Sequence, residues 1–144
     1  MKSGARLQIA ESAAAYAKRP RLVADASVVV ALLFSEASAS EAAAQLSGRV
    51  IAAPHLLDLE LGSAALHKLK RGHLTAATLS QAMDLYEEIV IERHAVPATE
   101  ALALALRYKL TTYDAAYLWL AAHLDAPLAT FDERLAAAAR EHLR

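Results

Sequence analysis

Arg21-Leu22-Val23-Ala24-Asp25-Ala26-Ser27-Val28-Val29-Val30 sets a carboxylate at the end of one apolar run, and the hydrocarbon then resumes through Ala31, Leu32, Leu33 and Phe34. Leu22 to Ala24 has the length and composition of a buried strand, and the residues after Asp25 read as the start of a helix, although Val28 to Val30 also favour strand. An aspartate between two apolar segments needs a reason, because burying a charge without partners is costly. One reason is local: Asp25 or Ser27 accepts a hydrogen bond from a free backbone N–H where strand turns into helix. The other is positional, since open α/β sheets bind their ligands outside the carboxyl ends of the strands, where Asp25 would stand. The two roles are compatible.

Outward from this stretch, the 144 residues suit one domain with a sizeable core. The chain is 56% hydrophobic and 22% charged, as expected of a globular protein, and its many alanines imply closely packed helices. A formal charge of −1 gives no global signature for nucleic acid, so any such binding must come from a local patch. The absence of cysteine rules out disulfides and thiolate sites and is compatible with the cytosol. No apolar run approaches the roughly 18 residues of a membrane span. Lys2, Arg6, Glu11, Lys18 and Arg19 leave no room for the apolar segment of a signal peptide.

Residues 1–20 form a lead-in, either a flexible arm or a short helix with Ile9, Ala13 and Tyr16 on one stripe. After a strand over residues 21–24, helices are expected over 27–35 and, capped by Ser38 or Ser40 and stopped by Gly48, up to Leu46. Val50-Ile51-Ala52-Ala53 reads as a second buried strand closed by Pro54. A long helix over 55–70 should bury Leu56, Leu59, Ala64 and Leu66, and one opened by Thr75 or Thr78 should run through Leu79, Met83 and Tyr86. It leads to the β-rich run Ile89-Val90-Ile91 and a loop over 94–97. Thr99 with Glu100 begins a helix through Leu102, Leu104, Leu106 and Leu110, and Thr111 or Thr112 caps another over 113–124. Leu128-Ala129-Thr130 is the last strand, followed by a helix over 133–142 capped by Thr130 or Asp132. Strands that alternate with helices, without hairpin signals, argue for an α/β domain with a mainly parallel sheet.

Most of the sixteen acids fall on polar helix faces or ends. Five do not: Asp25 and Asp132 follow strands, Asp58 and Glu60 lie near the start of the long helix, and Asp114 lies in the first turn of the helix at Tyr113. Each alone reads as a cap or a partner of the helix dipole. Together they share a direction, because strand C-ends and the first turns of the following helices lie on one rim of a parallel sheet. Carboxylates gathered on one rim repel each other unless something positive sits between them, and a hard divalent cation is the natural candidate.

Leu22-Val23-Ala24-Asp25-Ala26-Ser27, Pro54-His55-Leu56-Leu57-Asp58-Leu59-Glu60, Tyr113-Asp114-Ala115-Ala116-Tyr117-Leu118-Trp119-Leu120-Ala121 and Thr130-Phe131-Asp132-Glu133-Arg134-Leu135 follow one another along the chain. In this order the four stretches resemble the motifs of PIN-domain ribonucleases. Within that family the chain is most similar to the VapC-type toxins of bacterial and archaeal toxin–antitoxin systems. The resemblance covers residues 21–144, which it implies form a three-layer PIN-like domain with a short, mainly parallel sheet flanked by helices. It further implies a Mg²⁺- or Mn²⁺-dependent endoribonuclease, the toxin of a type II pair. Such a protein is a cytoplasmic homodimer held inactive by a small antitoxin, meeting RNA as substrate and DNA only through the antitoxin. Carried over by position, Asp25, Glu60, Asp114 and Asp132 match the family's acidic quartet. Asp25 and Asp114 would be the principal metal ligands, while Glu60 and Asp132 would complete the pocket and orient water. Ser27 and Thr130 match supporting hydroxyls. Asp58 has no place in the quartet and reads as a helix N-terminal acid.

The chemistry agrees with phosphodiester hydrolysis, for which carboxylates and a hard ion need no histidine base. The six histidines show no metal-binding spacing and read as surface or helix-end residues. Lys68, Lys70, Arg71 and His73 form one local basic run and Arg107 with Lys109 another; both suit helix C-termini, phosphate contact or an antitoxin surface. Tyr113, Tyr117 and Trp119 read as core, with Tyr113 nearest the edge of the site. A phosphatase using Asp25 as phospho-acceptor would want a second aspartate where Ser27 stands, and a receiver domain would want a late lysine where Thr130 and Asp132 stand. The rival of another class is a PIN-like binding module with little or no nuclease activity, working mainly through its antitoxin complex.

Overall fold

In a computed structural model, which describes residues 20–34 and 36–144, four parallel strands run β1 (Arg21–Ala24), β2 (Val50–Pro54), β3 (Ile91–His94) and β4 (Leu128–Ala129). Their order across the sheet is β3-β2-β1-β4. Leu22, Val23 and Ala24 are all buried, as a central parallel strand covered on both faces requires. In register, Leu22 lies beside Ile51 and Ala24 beside Ala129. The chain fills one side of β1 with β2 and β3 and then crosses to the other side with β4. The rim between the C-ends of β1 and β4 is therefore a topological switch point, where open sheets form a crevice.

Seven helices among the described residues connect the strands: α1 (Ala26–Leu33), α2 (Ala39–Leu46), α3 (Leu56–Lys70), α4 (Ala76–Glu88), α5 (Ala98–Tyr108), α6 (Thr112–His123) and α7 (Glu133–His142). α1 packs on α2, α3 and α4, while α6 lies across β1, β2 and β4 and packs on α5 and α7. The result is the expected three-layer α/β arrangement. Leu57, Leu61, Tyr117, Leu118, Leu120 and Leu135 are fully buried, each contributing about 1.5–3 kcal/mol of transfer free energy. Asp25, Thr75, Thr111 and Asp132 cap α1, α4, α6 and α7 with their side chains; Ser38 precedes α2 without a side-chain cap bond. No helix of the described residues is long and apolar enough to cross a membrane. The lead-in, apart from Pro20, lies outside the described residues, and with it the stripe of Ile9, Ala13 and Tyr16.

Three expectations are corrected. The inner face of α3 is Leu57, Leu61 and Ala65, while Leu59 and Leu66 are 77% and 52% exposed. This helix carries leucine or alanine on every side, so more than one stripe satisfies helical spacing, and the arc that turns inward is the one holding Leu57, Leu61 and Ala65. Strand β3 begins only at Ile91, with Ile89 capping α4 and Val90 exposed, and it runs through His94, which was expected to open a loop. Pairing with β2 from Ile51–Ile91 to Pro54–His94 sets these limits, and an edge strand accommodates Glu92 and Arg93 readily. Helix α5 starts at Ala98 after Pro97, and it buries Ala101 and Ala105 while Leu102 and Leu106 stand exposed.

Candidate active site

Asp25 ends β1 and opens α1, and at 4% exposure it is the one buried charged side chain among the described residues. Its Oδ1 accepts from Ser27 Oγ at 2.5 Å and from the Val28 amide at 3.3 Å; its Oδ2 accepts from Thr130 Oγ1 at 2.5 Å. Both hydroxyls are themselves held, Ser27 Oγ by the Phe131 amide at 3.0 Å and Thr130 Oγ1 by the Asp132 amide at 2.9 Å. The turn after β4 is thus stitched to the carboxylate at the end of β1. Helix cap and rim position, the two readings of Asp25, are both realised. Burial pushes its carboxyl above the ordinary range, and the donors from Ser27, Thr130 and Val28 offset part of that rise.

The other acids arrive on the same rim by the same local logic. Asp132 caps α7, its Oδ1 accepting from the Leu135 amide at 2.9 Å, and remains exposed. Asp114 lies in the first turn of α6, whose amide is received by Thr111 Oγ1 at 3.0 Å. Glu60 lies on α3, half-buried, with Oε1 accepting from Tyr117 Oη at 2.6 Å. Burial first, and then the charges of Asp132 and Asp25, raise the Asp114 carboxyl. Burial raises Glu60 too; the Tyr117 bond opposes this, and the charges of Asp114 and Asp25 add to it. Asp114 is therefore near enough to feel Asp25, Glu60 and Asp132, and Glu60 to feel Asp25. Among the described residues no group of three or more His, Asp or Glu side chains is gathered closely enough to hold a metal ion. Separate carboxylates with excess negative charge suit a hard ion that keeps several of its waters and takes one or two carboxylates directly.

Asp58 stands apart from this rim. Arg93 clasps it from β3, with Nε and Nη2 each 2.9 Å from a carboxylate oxygen, and Tyr86 Oη donates to Oδ1 at 2.5 Å. The Arg93 bonds hold its carboxyl below the ordinary range. Its role as an acid in the first turn of α3 is thus joined by an ion pair that ties the helix to β3 and α4. Lys68 of the first basic run is engaged with Glu36 at 2.6 Å, whereas Lys70, Arg71 and His73 are exposed. Arg107 lies over the Tyr108 ring. Tyr117 is core as expected, whereas Tyr113, read as core from the sequence, is 62% exposed and Trp119 is only half-buried against His123. The bond from Tyr117 to Glu60 was not expected; the signal available was its position one helical turn after Asp114 on α6. A cavity of about 510 Å³ opens at the opposite end of the sheet, near Pro127, Arg140 and Leu143, and holds none of the rim acids.

A parallel three-layer sheet with carboxylates gathered at its C-terminal rim defines an acid-rimmed α/β domain. The sequence model of the PIN domain matches residues 22–141, and the chain belongs to the PIN-domain family, within its VapC-type ribonuclease group. It is 37% identical over 118 residues to Ribonuclease VapC1 of Mycobacterium tuberculosis, covering 81% of this chain and 89% of that one. It is 31% identical over 123 residues to Ribonuclease VapC3 of Pyrobaculum aerophilum, covering 81% and 92%. The crystal structure of PAE2754 from Pyrobaculum aerophilum superposes with a TM-score of 0.67 at 24% identity, over 86% of this chain and 87% of that one, and so shares the fold.

Proposed function

We propose that this protein is a divalent-metal-dependent endoribonuclease, the toxin of a type II toxin–antitoxin pair, and that Asp25, Glu60, Asp114 and Asp132 form its active site. The observation that carries the reading is the buried carboxylate of Asp25 at the C-end of β1, both oxygens held by the hydroxyls of Ser27 and Thr130, in a member of a family whose relatives are named ribonucleases. Asp25 and Asp114 would hold Mg²⁺ or Mn²⁺. The ion, when bound, supplies Lewis-acid polarisation of the phosphoryl oxygen and makes water a competent nucleophile near neutral pH. Ser27 and Thr130 hold both oxygens of Asp25, so the ligand is preorganised before the ion arrives. Glu60 offers its second oxygen, and Asp132 its exposed carboxylate, to orient the attacking water and receive its proton.

A protein of this kind works in the cytoplasm, where its RNA is, as a homodimer restrained by a small antitoxin, and touches DNA only through that partner. Exposed apolar side chains support the docking of partners: Leu59 and Leu66 on α3, and Leu102 and Leu106 on α5. The antitoxin would inhibit by covering the rim or inserting an arginine, whose bidentate charge suits carboxylates. Incubating the purified, antitoxin-free protein with single-stranded RNA in Mn²⁺ and in chelator tests the reading. Cleavage in Mn²⁺ alone is expected. A folded protein that leaves RNA intact in both would instead be a binding module acting through its antitoxin complex.

A further inference from the structure

We propose that Tyr117 is the positioning residue of the rim, its phenol fixing the carboxylate of Glu60 so that one oxygen is occupied and the other is left for the reaction. This inference rests on the ribonuclease reading above. Tyr117 is 1% exposed, among the largest fully buried side chains, and comes from α6, whereas Glu60 comes from α3. The bond of 2.6 Å therefore crosses between helices on opposite faces of the sheet. Asp114 and Tyr117 are one turn apart on α6, so one helix delivers both a rim carboxylate and the donor that holds another.

A glutamate has three side-chain torsions and would swing away from Asp25 and Asp114, whose charges repel it. Among the described residues, Tyr117 is the one side-chain donor to Glu60, so its hydroxyl is what opposes that swing. Burial and the carboxylate beside it hold the phenol proton in place well above the ordinary tyrosine range. Tyr117 thus keeps its proton and can donate it to Glu60 throughout the neutral pH range. On the same helix Asp58 receives the Tyr86 phenol and the Arg93 guanidinium, which steadies the first turn of α3 from its other side.

The test is a double-mutant cycle of Tyr117→Phe and Glu60→Gln, read as Mn²⁺ affinity of the protein without RNA and as kcat and KM for a single-stranded RNA. Phenylalanine fills the same volume, so the variant should melt cooperatively, with its loss in kcat and in Mn²⁺ affinity and little change in KM. Losses of about 10–100-fold are expected, as for outer groups that orient a site carboxylate. In the Glu60→Gln background the same substitution should change neither quantity further, because the carboxylate whose free oxygen Tyr117 positions is already gone, even though the amide oxygen still accepts from the phenol. Equal values for Tyr117→Phe and wild type, or losses that simply add, would overturn the proposal. If Tyr117→Phe does not fold, the proton NMR signal of the Tyr117 hydroxyl in wild type, expected to be shielded from exchange by its burial, reads the bond instead. It should shift or vanish in Glu60→Gln, and an unchanged signal would overturn the proposal. Absence of cleavage by wild type, or full activity of Glu60→Gln, would be a different result, removing the acidic-quartet reading itself.

Discussion

Replacing Asp25 with Asn separates stability from function at the residue on which both converge. In the wild type three donors reach the carboxylate, from Ser27, Val28 and Thr130. An amide with its oxygen toward Ser27 and Val28 keeps two of these bonds. Its nitrogen then meets Thr130 Oγ1, which can accept from it but loses its own acceptor. Exchanging a charge-assisted bond for a neutral one costs about 1–2 kcal/mol. Against this, the substitution removes a buried charge that desolvation already disfavours, and with it the repulsion from Glu60 and Asp114. That relief is of the same order, so the net change in chelator should stay within about 1 kcal/mol, or a shift in Tm of about 4 °C. Cleavage should fall by at least about a hundredfold, since even groups that only orient a metal ligand cost 10–100-fold. Wild type should gain about 2.7 kcal/mol when free Mn²⁺ is roughly a hundred times its Kd, and the variant much less. Thermal melts in chelator and in Mn²⁺, beside an RNA-cleavage assay, give all three quantities. A Tm lowered by more than about 10 °C in chelator with cleavage intact would make Asp25 a structural cap and refute its assignment to the site.

Acid should stabilise the metal-free protein at first. Asp25, Glu60 and Asp114 all have raised carboxyls, so their contribution is complete below the ordinary carboxylate values and is lost as pH rises through the folded ones. In chelator the Tm should therefore climb as pH is lowered from neutrality toward the ordinary carboxylate range, and saturating Mn²⁺ should abolish the climb. At still lower pH the trend should reverse, because Asp58 and Glu92, held low by Arg93 and Arg21, lose their contribution as they protonate. A metal-free Tm that falls steadily from neutral pH would contradict this. Thr130→Val removes one donor from Asp25 and the acceptor of the Asp132 amide, and should reduce cleavage about 10–100-fold while the protein still folds, by circular dichroism and kinetics. Arg93→Met should destabilise by about 1 kcal/mol in urea, because the pair it breaks is 31% and 42% exposed, and should add little to Asp58→Asn.

The order of strands and helices, and the rim acids, were legible because they depend on short-range rules. Leu22 to Ala24 is long enough only for a strand, and Asp25, Thr111 and Asp132 sit where caps belong. What the sequence could not reveal depends on partners far along the chain. Tyr117 meets Glu60 across 57 positions and Arg93 meets Asp58 across 35, and neither pair leaves a periodic trace. The inner face of α3 was ambiguous because its leucines and alanines fall on all sides, so that spacing alone allows more than one stripe. The limits of β3 follow from its register with β2, so the polar pair Glu92 and Arg93 entered the strand against its local propensity.

The central claim is that the rim holds a divalent ion for RNA cleavage, and the most direct measurement is anomalous diffraction from crystals soaked in Mn²⁺, in a preparation that cuts RNA in Mn²⁺ and not in chelator. A manganese peak is expected at the C-terminal rim in contact with Asp25 and Asp114, absent in Asp114→Asn crystals treated alike. Manganese bound elsewhere with the rim empty, in protein that cuts RNA only with Mn²⁺, would contradict it.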